Sequence, residues 1–318
     1  MSLLTMAPAN GVGWQPPSQF RVQLEHETPE QRAWRLDLPR IASRLAVRWG
    51  LQRDGRPWCG WMSSAWPVRD DLGRKMVLKI SWPDARTRLE QVALRAWAGP
   101  GSKAVRLWHS SQTDNAVVLR RLDADRTLEQ HPDVDDACRI IAETLASLPR
   151  SVHPIGIVTV QAEAARMLDS IERQRDKWGS VVERPYIEKA IDTLMTVASS
   201  PVNDRARILH FDAHFFNVLH TLDDEPPDWI LIDPNPVLGP VEWELPPVLR
   251  NRADEAYLTG DPERALRRRV DIMCDVLGAN RSQARAIAQA SAVDNLLWLL
   301  PEQPTHPFVG PYTFVSRW

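Results

Sequence analysis

No run of this 318-residue chain approaches the ~20 consecutive apolar residues that a membrane helix needs, so no membrane segment is expected. The start, MSLLTMAPANGVGWQPPSQF, has neither the basic opening nor the sustained apolar stretch of a signal peptide, and export is not expected either. Cysteine is scarce. Cys59, Cys138 and Cys274 lie far apart without paired spacing, which argues against a disulfide framework or a cysteine-based zinc site and fits a reducing cytoplasm. A surplus of charge is missing too. The 39 basic and 41 acidic residues leave a formal charge of −2, too little to hold a polyanion, so nucleic acid is not an expected partner. The pattern G-x-x-x-x-G-K-[ST] occurs nowhere, which disfavours a P-loop nucleotidase.

What is present is ordinary globular chemistry: 43% hydrophobic and 25% charged residues, in a length that suits one large domain or two lobes. The fourteen tryptophans, from Trp14 to Trp318, read mostly as large packing surfaces in the core. Residues 1–27, rich in Pro, Gly, Ser and Asn and without a period, read as a loose lead-in. Thr28 to Gly50 carries apolar residues at helical intervals, and Pro39 should divide it into two short helices. Leu51 to Trp82 has Asp-Gly and Leu-Gly turn signals between strand-length runs and reads as three antiparallel strands.

DARTRLEQVALRAWAG then sets Leu89, Val92, Ala93, Ala96 and Trp97 on one helical face, and AVRLWHSS and AVVLRRL follow as two more strands. The polar stretch DADRTLEQHPD breaks the sheet pattern and places the boundary between a 28–122 lobe and a 123–318 lobe. Beyond it the helical segments DVDDACRIIAETLASL, VQAEAARMLDSIERQRDKWG and PYIEKAIDTLMTVASS precede a strand-loop-strand region. DPERALRRRVDIMCDVLG and SQARAIAQASAVDNLLWLLP are helical again. The expected class is α+β, a small antiparallel sheet with one helix followed by a mainly helical lobe.

Chemistry enters at Lys75 to Ile80, KMVLKI, where strand alternation puts Val77 and Lys79 on one face and Met76, Leu78 and Ile80 on the other. An isolated lysine there is usually solvated. Glu90 on the next helix changes the weighting, because a strand lysine paired with a helix glutamate holds nucleotide phosphates in protein kinases. Gly60 to Val68, GWMSSAWPV, falls between the first two expected strands, where a kinase has its phosphate-covering loop. It lacks G-x-G-x-x-G. Ser63 and Ser64 offer donors to phosphate oxygens, although a plain hairpin turn explains them equally well.

The stretch RILHFDAHFFNVLHTLDDEPPDWILIDPNP holds the sharpest pattern. A kinase catalytic loop has an aspartate two residues after a histidine and an asparagine five residues beyond that aspartate. His210, Asp212 and Asn217 have this spacing, and Asp233 ends the following apolar run. In that reading Asp212 orients the acceptor hydroxyl, Asn217 and Asp233 hold magnesium against the phosphates, and His210 packs the loop. Each residue alone is a common loop former, and only the joint order points to phosphoryl transfer. A rival reading takes His210, Asp212, His214 and His220 as zinc ligands, but no other histidine falls in a matching motif.

At these residues the chain resembles the aminoglycoside phosphotransferase family, whose loop has the form LHGDLHxGN followed by an IDP segment; here LHFDAHFFN and IDP stand. The likeness runs from about Trp34 to the C-terminal helices. WRLDLPRIASRLAVRWGL, PVRDDLGRKMVLKISWP, ALRAWAG and AVRL are similar to the streptomycin 6-phosphotransferase branch, which includes hydroxyurea- and peptide-antibiotic-resistance kinases. The resemblance implies a bilobal protein-kinase-like fold and a cytoplasmic, ATP- and Mg2+-dependent phosphotransferase, monomeric or homodimeric. Its acceptor would be a small-molecule hydroxyl, an aminoglycoside-type antibiotic first and another metabolite or peptide antibiotic second.

Lys79, Glu90, Ser64 and Leu122 are assigned to the nucleotide, Asp212 to catalysis, and Asn217 and Asp233 to the metal. A cationic acceptor calls for carboxylates, for which Glu242, Glu244, Asp254 and Glu255 are the candidates, with no catalytic role carried over to Glu244. Phe211 and Phe216 stand where the family has glycines. Either the loop takes ordinary dihedrals and packs the rings, or the acceptor pocket is narrowed. A kinase-like nucleotide-binding protein whose phenylalanines block the acceptor is the non-enzymatic alternative.

Overall fold

The computed structural model describes residues 13–17, 20, 28–60, 62–84, 86–150, 156–202, 205–224 and 226–318, so most of the expected lead-in lies outside the described residues. Its first helix, α1 (Pro29–Trp49), opens with a reciprocal cap. The Thr28 hydroxyl accepts from the Gln31 N–H at 3.3 Å, and the Thr28 N–H donates to Gln31 Oε1 at 2.9 Å. Gly50 closes the helix at φ 63°, the left-handed geometry that glycine takes without strain. Pro39 lies inside α1, so the expected break into two helices does not occur. Leu38, Ile41, Ala42 and Leu45 around it are buried in one face. Burying such side chains is worth ~1.5–3 kcal/mol each, which outweighs the ~3 kcal/mol an interior proline costs.

The chain divides into two units, one of residues 1–98, 105–122 and 221–224, the other of residues 99–104, 123–220 and 225–318. The first holds an antiparallel sheet of β1 (Gln52–Arg53), β2 (Trp58–Cys59), β3 (Ser63–Arg69), β4 (Lys75–Ser81), β5 (Leu107–Ser111) and β6 (Ala116–Arg120). Its order is β1-β3-β4-β6-β5, with β2 paired to β3. Four strands thus occupy the region where three were expected. Met76, Leu78 and Ile80 of β4 are buried with Trp66, Val68 and Val118 against Leu38, Ile41 and Leu45 of α1. Lys75, Val77 and Lys79 point to the opposite face, as the two-residue period requires. Of the lead-in, Phe20 joins this core and Trp14 meets Trp66 edge-on at 6.3 Å. A single helix, α2 (Glu90–Ala96), follows β4 after a tight turn at Thr87–Leu89.

In the second unit β7 (Asp123–Thr127), β9 (Val218–His220) and β10 (Trp229–Leu231) form one antiparallel sheet in the order β10-β9-β7. β8 (Arg207–Leu209) and β11 (Val237–Gly239) form another. The expected helices are α3 (Val134–Ala146), α4 (Val160–Arg173), α5 (Arg184–Ser199), α7 (Pro262–Leu277) and α8 (Arg281–Glu302); α6 (Ala253–Leu258) and α9 (Val309–Val315) are additional. α3 packs on α7, α4 on α5, and α8 on both α5 and α9. The segment 210–217 crosses from β8 to β9, so the two short sheets fix both ends of the loop that carries the motif. No described helix is long and apolar enough to cross a membrane.

Candidate active site

In the first unit the Lys79 ammonium meets Glu90 Oε2 at 2.8 Å, and both side chains are largely buried. The turn before α2 sets Glu90 in place. Asp84 Oδ1 accepts from the N–H groups of Arg86 and Thr87 at 2.8 and 2.7 Å, and Asn115 Nδ2 donates to Thr87 Oγ1 at 2.7 Å. A charge-assisted hydrogen bond in so buried a place keeps the ammonium aimed. Leu122 is buried just beyond β6. Ser64 corrects the expectation for it. It sits within β3 opposite Ile80, 0% exposed, and its hydroxyl donates to the Trp58 carbonyl, so it belongs to the sheet and not to a phosphate loop.

In the second unit the loop is tied down at both ends. The Ile232 N–H donates to the Asn217 carbonyl at 2.9 Å, the Asn235 N–H donates to the His210 carbonyl at 3.0 Å, and His210 Nε2 lies 3.0 Å from the Ile232 carbonyl. Asp233 stands between these tethers, at φ 61°. Asn217 donates from Nδ2 to the Asp212 carbonyl at 2.9 Å and to Asp212 Oδ2 at 3.3 Å. Asp212, Asn217 and Asp233 are therefore brought together on one loop system.

Arg250, which no sequence pattern singled out, donates from Nη2 to Asp212 Oδ1. Burial pushes the Asp212 carboxyl up, but the charges of Arg250 and His214 and the Arg250 hydrogen bond outweigh it, and the net direction is down. Asp212 is thus held ionised with its side chain 30% exposed. Burial lowers His214 to about 4 despite the nearby carboxylates. Its Nδ1 accepts from the Phe216 N–H at 3.3 Å, which places the proton of the neutral ring on Nε2, 3.8 Å from Asp212 Oδ2.

Phe211 takes φ 61°, so the loop does not use ordinary dihedrals at that position. Its ring packs on Trp243 with centroids 6.2 Å apart. Glu244, 1% exposed, stabilises the turn. Its two oxygens accept from the N–H groups of His210 and Phe211 at 2.6 and 2.8 Å. Glu242 is also spoken for, accepting from the Asn280 N–H at the start of α8 at 2.8 Å. Both carboxylates are also buried, so the structure sets Glu242 and Glu244 among backbone donors and not at a surface open to an acceptor. Glu255 is paired with Arg252 through both oxygens, and Asp254 is exposed.

The zinc reading fails on geometry: among the described residues no three His, Cys, Asp or Glu side chains converge as a metal site. His210 and His214 serve the loop backbone, and the His220 ring meets Trp229 edge-on at 5.1 Å. Magnesium fits better. Asn217 commits its amide nitrogen to Asp212, which leaves its amide oxygen as a hard donor, Asp233 directly follows Ile232, whose N–H is bonded to the Asn217 carbonyl, and Mg2+ takes one or two such protein ligands with phosphates and water.

The family described as aminoglycoside/hydroxyurea antibiotic resistance kinase matches residues 48–301. Streptomycin 6-kinase of Streptomyces griseus is 32% identical over 269 residues, 85% of each chain. Hydroxyurea phosphotransferase of Kitasatospora aureofaciens is 32% identical over 287 residues, 89% of this chain and 79% of that one. Among solved structures, a thermostable mutant of aminoglycoside phosphotransferase APH(4)-Ia in ternary complex with ADP and hygromycin B covers 87% of this chain and 97% of its own. Its TM-score is 0.55 at 15% identity, a likeness of fold.

Proposed function

Because the chain belongs to the aminoglycoside/hydroxyurea antibiotic resistance kinase family, we propose that it transfers phosphate from ATP to a hydroxyl of a streptomycin-like antibiotic and so confers resistance. The observation that carries this reading is the Asp212 carboxylate, ionised and partly exposed, with Arg250 on one oxygen and Asn217 on the other. A carboxylate so held orients an acceptor hydroxyl and takes up its proton as the oxygen attacks the γ-phosphorus, whose bond to the β,γ-bridging oxygen breaks to release ADP. Asn217 and Asp233 would hold magnesium, which when bound would supply charge neutralisation to the phosphates. Lys79, steadied by Glu90, pairs with the phosphates, and Leu122 offers an apolar surface to the base. Asp254 and Glu255, the latter side chain 35% exposed, remain candidates to meet cationic groups of the acceptor. Such an enzyme works in the cytoplasm, where MgATP is available, as a monomer or homodimer.

The test is an acceptor screen with labelled ATP covering streptomycin, tuberactinomycin-type peptides, hydroxyurea and simple amino sugars. Label should pass to streptomycin. Asp212→Asn should cut turnover by roughly 10²–10⁴ while nucleotide binding and folding stay near normal. A variant as active as the parent sinks the assignment of Asp212. Thermal stabilisation by ATP with no transfer to any of these compounds would point instead to nucleotide binding alone.

A further inference from the structure

Asp212 is held from a part of the chain that no motif marks. Arg250 follows the turn Pro246–Leu249, and a buried arginine on α7 fixes the backbone on both sides of it. Arg269, 1% exposed, donates from Nη1 to the carbonyls of Asn251 and Val248 at 2.8 and 3.3 Å, and from Nη2 to that of Arg252 at 2.6 Å. With five donors in a rigid fork, one guanidinium can pin three carbonyls of this short 3-10 turn and the bend that follows it.

The side chain of Arg250 is anchored separately. Its guanidinium neighbours the phenol of Tyr312, a buried residue of α9, and lies 5.9 Å from the Phe308 ring just before that helix. Only then does it reach Asp212 Oδ1. Oδ2 receives Asn217 Nδ2, so the carboxylate is held at both oxygens by donors from different elements and its rotation is fixed. Two ionised oxygens offer about four lone-pair sites, so these two donors leave room for an acceptor hydroxyl.

We propose that Arg250, seated by Tyr312 and by Arg269, is a positioning residue for phosphoryl transfer: it sets the orientation of the Asp212 carboxylate toward the acceptor hydroxyl, and makes the C-terminal helix part of the catalytic apparatus. The inference rests on the role of Asp212 proposed above. Its consequence is specific to turnover, because misplacing a reacting group by about 1 Å costs on the order of 10²-fold in rate without weakening substrate binding.

The experiment compares the parent with Arg250→Ala, Arg250→Lys, Tyr312→Phe and Asp212→Asn, using MgATP and streptomycin, or hydroxyurea if the screen shows that to be the acceptor. Arg250→Ala should lose roughly 10²-fold in kcat with KM for ATP nearly unchanged. Millimolar guanidinium ion should recover about tenfold or more of that loss in Arg250→Ala and do nothing for Asp212→Asn. Arg250→Lys should fall between, since a point charge replaces a fork. Tyr312→Phe, which removes one hydroxyl and keeps the ring, should lower kcat several-fold at constant KM, and it decides the matter if Arg250→Ala does not fold. A parental kcat in Tyr312→Phe, or an Arg250→Ala defect confined to KM or deaf to guanidinium, overturns the proposal. Full activity in Asp212→Asn would instead remove the reading beneath it.

Discussion

At Phe211 a bulky residue occupies φ 61°, a region that costs an L-residue roughly 1–2 kcal/mol and glycine almost nothing. What keeps it there is Glu244, whose two oxygens take the N–H groups of His210 and Phe211 that lead into the bend, and the packing of the ring on Trp243. Phe211→Gly should therefore be more stable than Phe211→Ala by about 1 kcal/mol in urea unfolding, since both lack the ring and only glycine relaxes the backbone. Equal stabilities would mean the turn is not strained. Glu244→Gln keeps one acceptor of two and leaves a buried N–H bare, at a cost of about 1–3 kcal/mol. Burial raises the Glu244 carboxyl from 4.5 to about 7, against the two N–H bonds and the Arg207 charge that lower it.

A raised carboxyl means the folded chain binds a proton the unfolded chain has released. Its contribution to stability is therefore present below 4.5 and is lost as pH rises through about 7. The stability difference between parent and Glu244→Gln should shrink over that window, as chemical denaturation across pH would show. The sequence-based reading located the glycine-to-phenylalanine departure but not its backbone. It placed Glu244 toward an acceptor because a carboxylate in a loop carries no mark of which backbone donors it will meet. Arg250 and Tyr312 were missed for the same reason, being ordinary residues whose importance lies in contacts distant along the chain.

At the scale of elements, period and turn chemistry made much legible. Alternation along KMVLKI predicted which residues of β4 face α1, and the strand-loop-strand pattern around Asp212 emerged as β8, the loop and β9. The failures came where tertiary packing overrode local rules. Pro39 does not break α1, because the buried face continues through it, and Ser63 to Val68 of GWMSSAWPV is strand where a loop was expected, because β3 pairs with β4 along its whole length. Gly239 shows a constraint invisible to pattern reading. β11 runs so close to α4 that a Cβ at this glycine would lie 2.9 Å from Val160 Cγ2 and nearer still to Cγ1. Val160 is buried and β-branched, so it cannot swing aside. Gly239→Ala should cost about 1–3 kcal/mol as overpacking, and Val160→Ala combined with it should recover part of that loss. Strict additivity in the double-mutant cycle would show that the two residues do not press on each other.

For the molecule as a whole, the functional groups are divided between units: the Lys79–Glu90 pair lies in the first, and Asp212, Asn217 and Asp233 lie in the second. The proposed reaction requires one nucleotide to engage groups in both. Linkage makes this measurable, because a ligand that binds only the folded chain adds about 2.7 kcal/mol of stability at a hundredfold excess over its Kd. MgATP should therefore raise the unfolding midpoint of the parent. Lys79→Met and Asp233→Asn should each reduce that rise, although the substitutions fall in different units. Because each would weaken the same ligand, the double variant should lose less than the sum of the two single losses once binding is nearly gone. If instead Asp233→Asn leaves the MgATP shift untouched while Lys79→Met abolishes it, the nucleotide answers to the first unit alone. Asp233 would then need another explanation for its left-handed backbone, because a strained residue persists only where the surroundings hold it there.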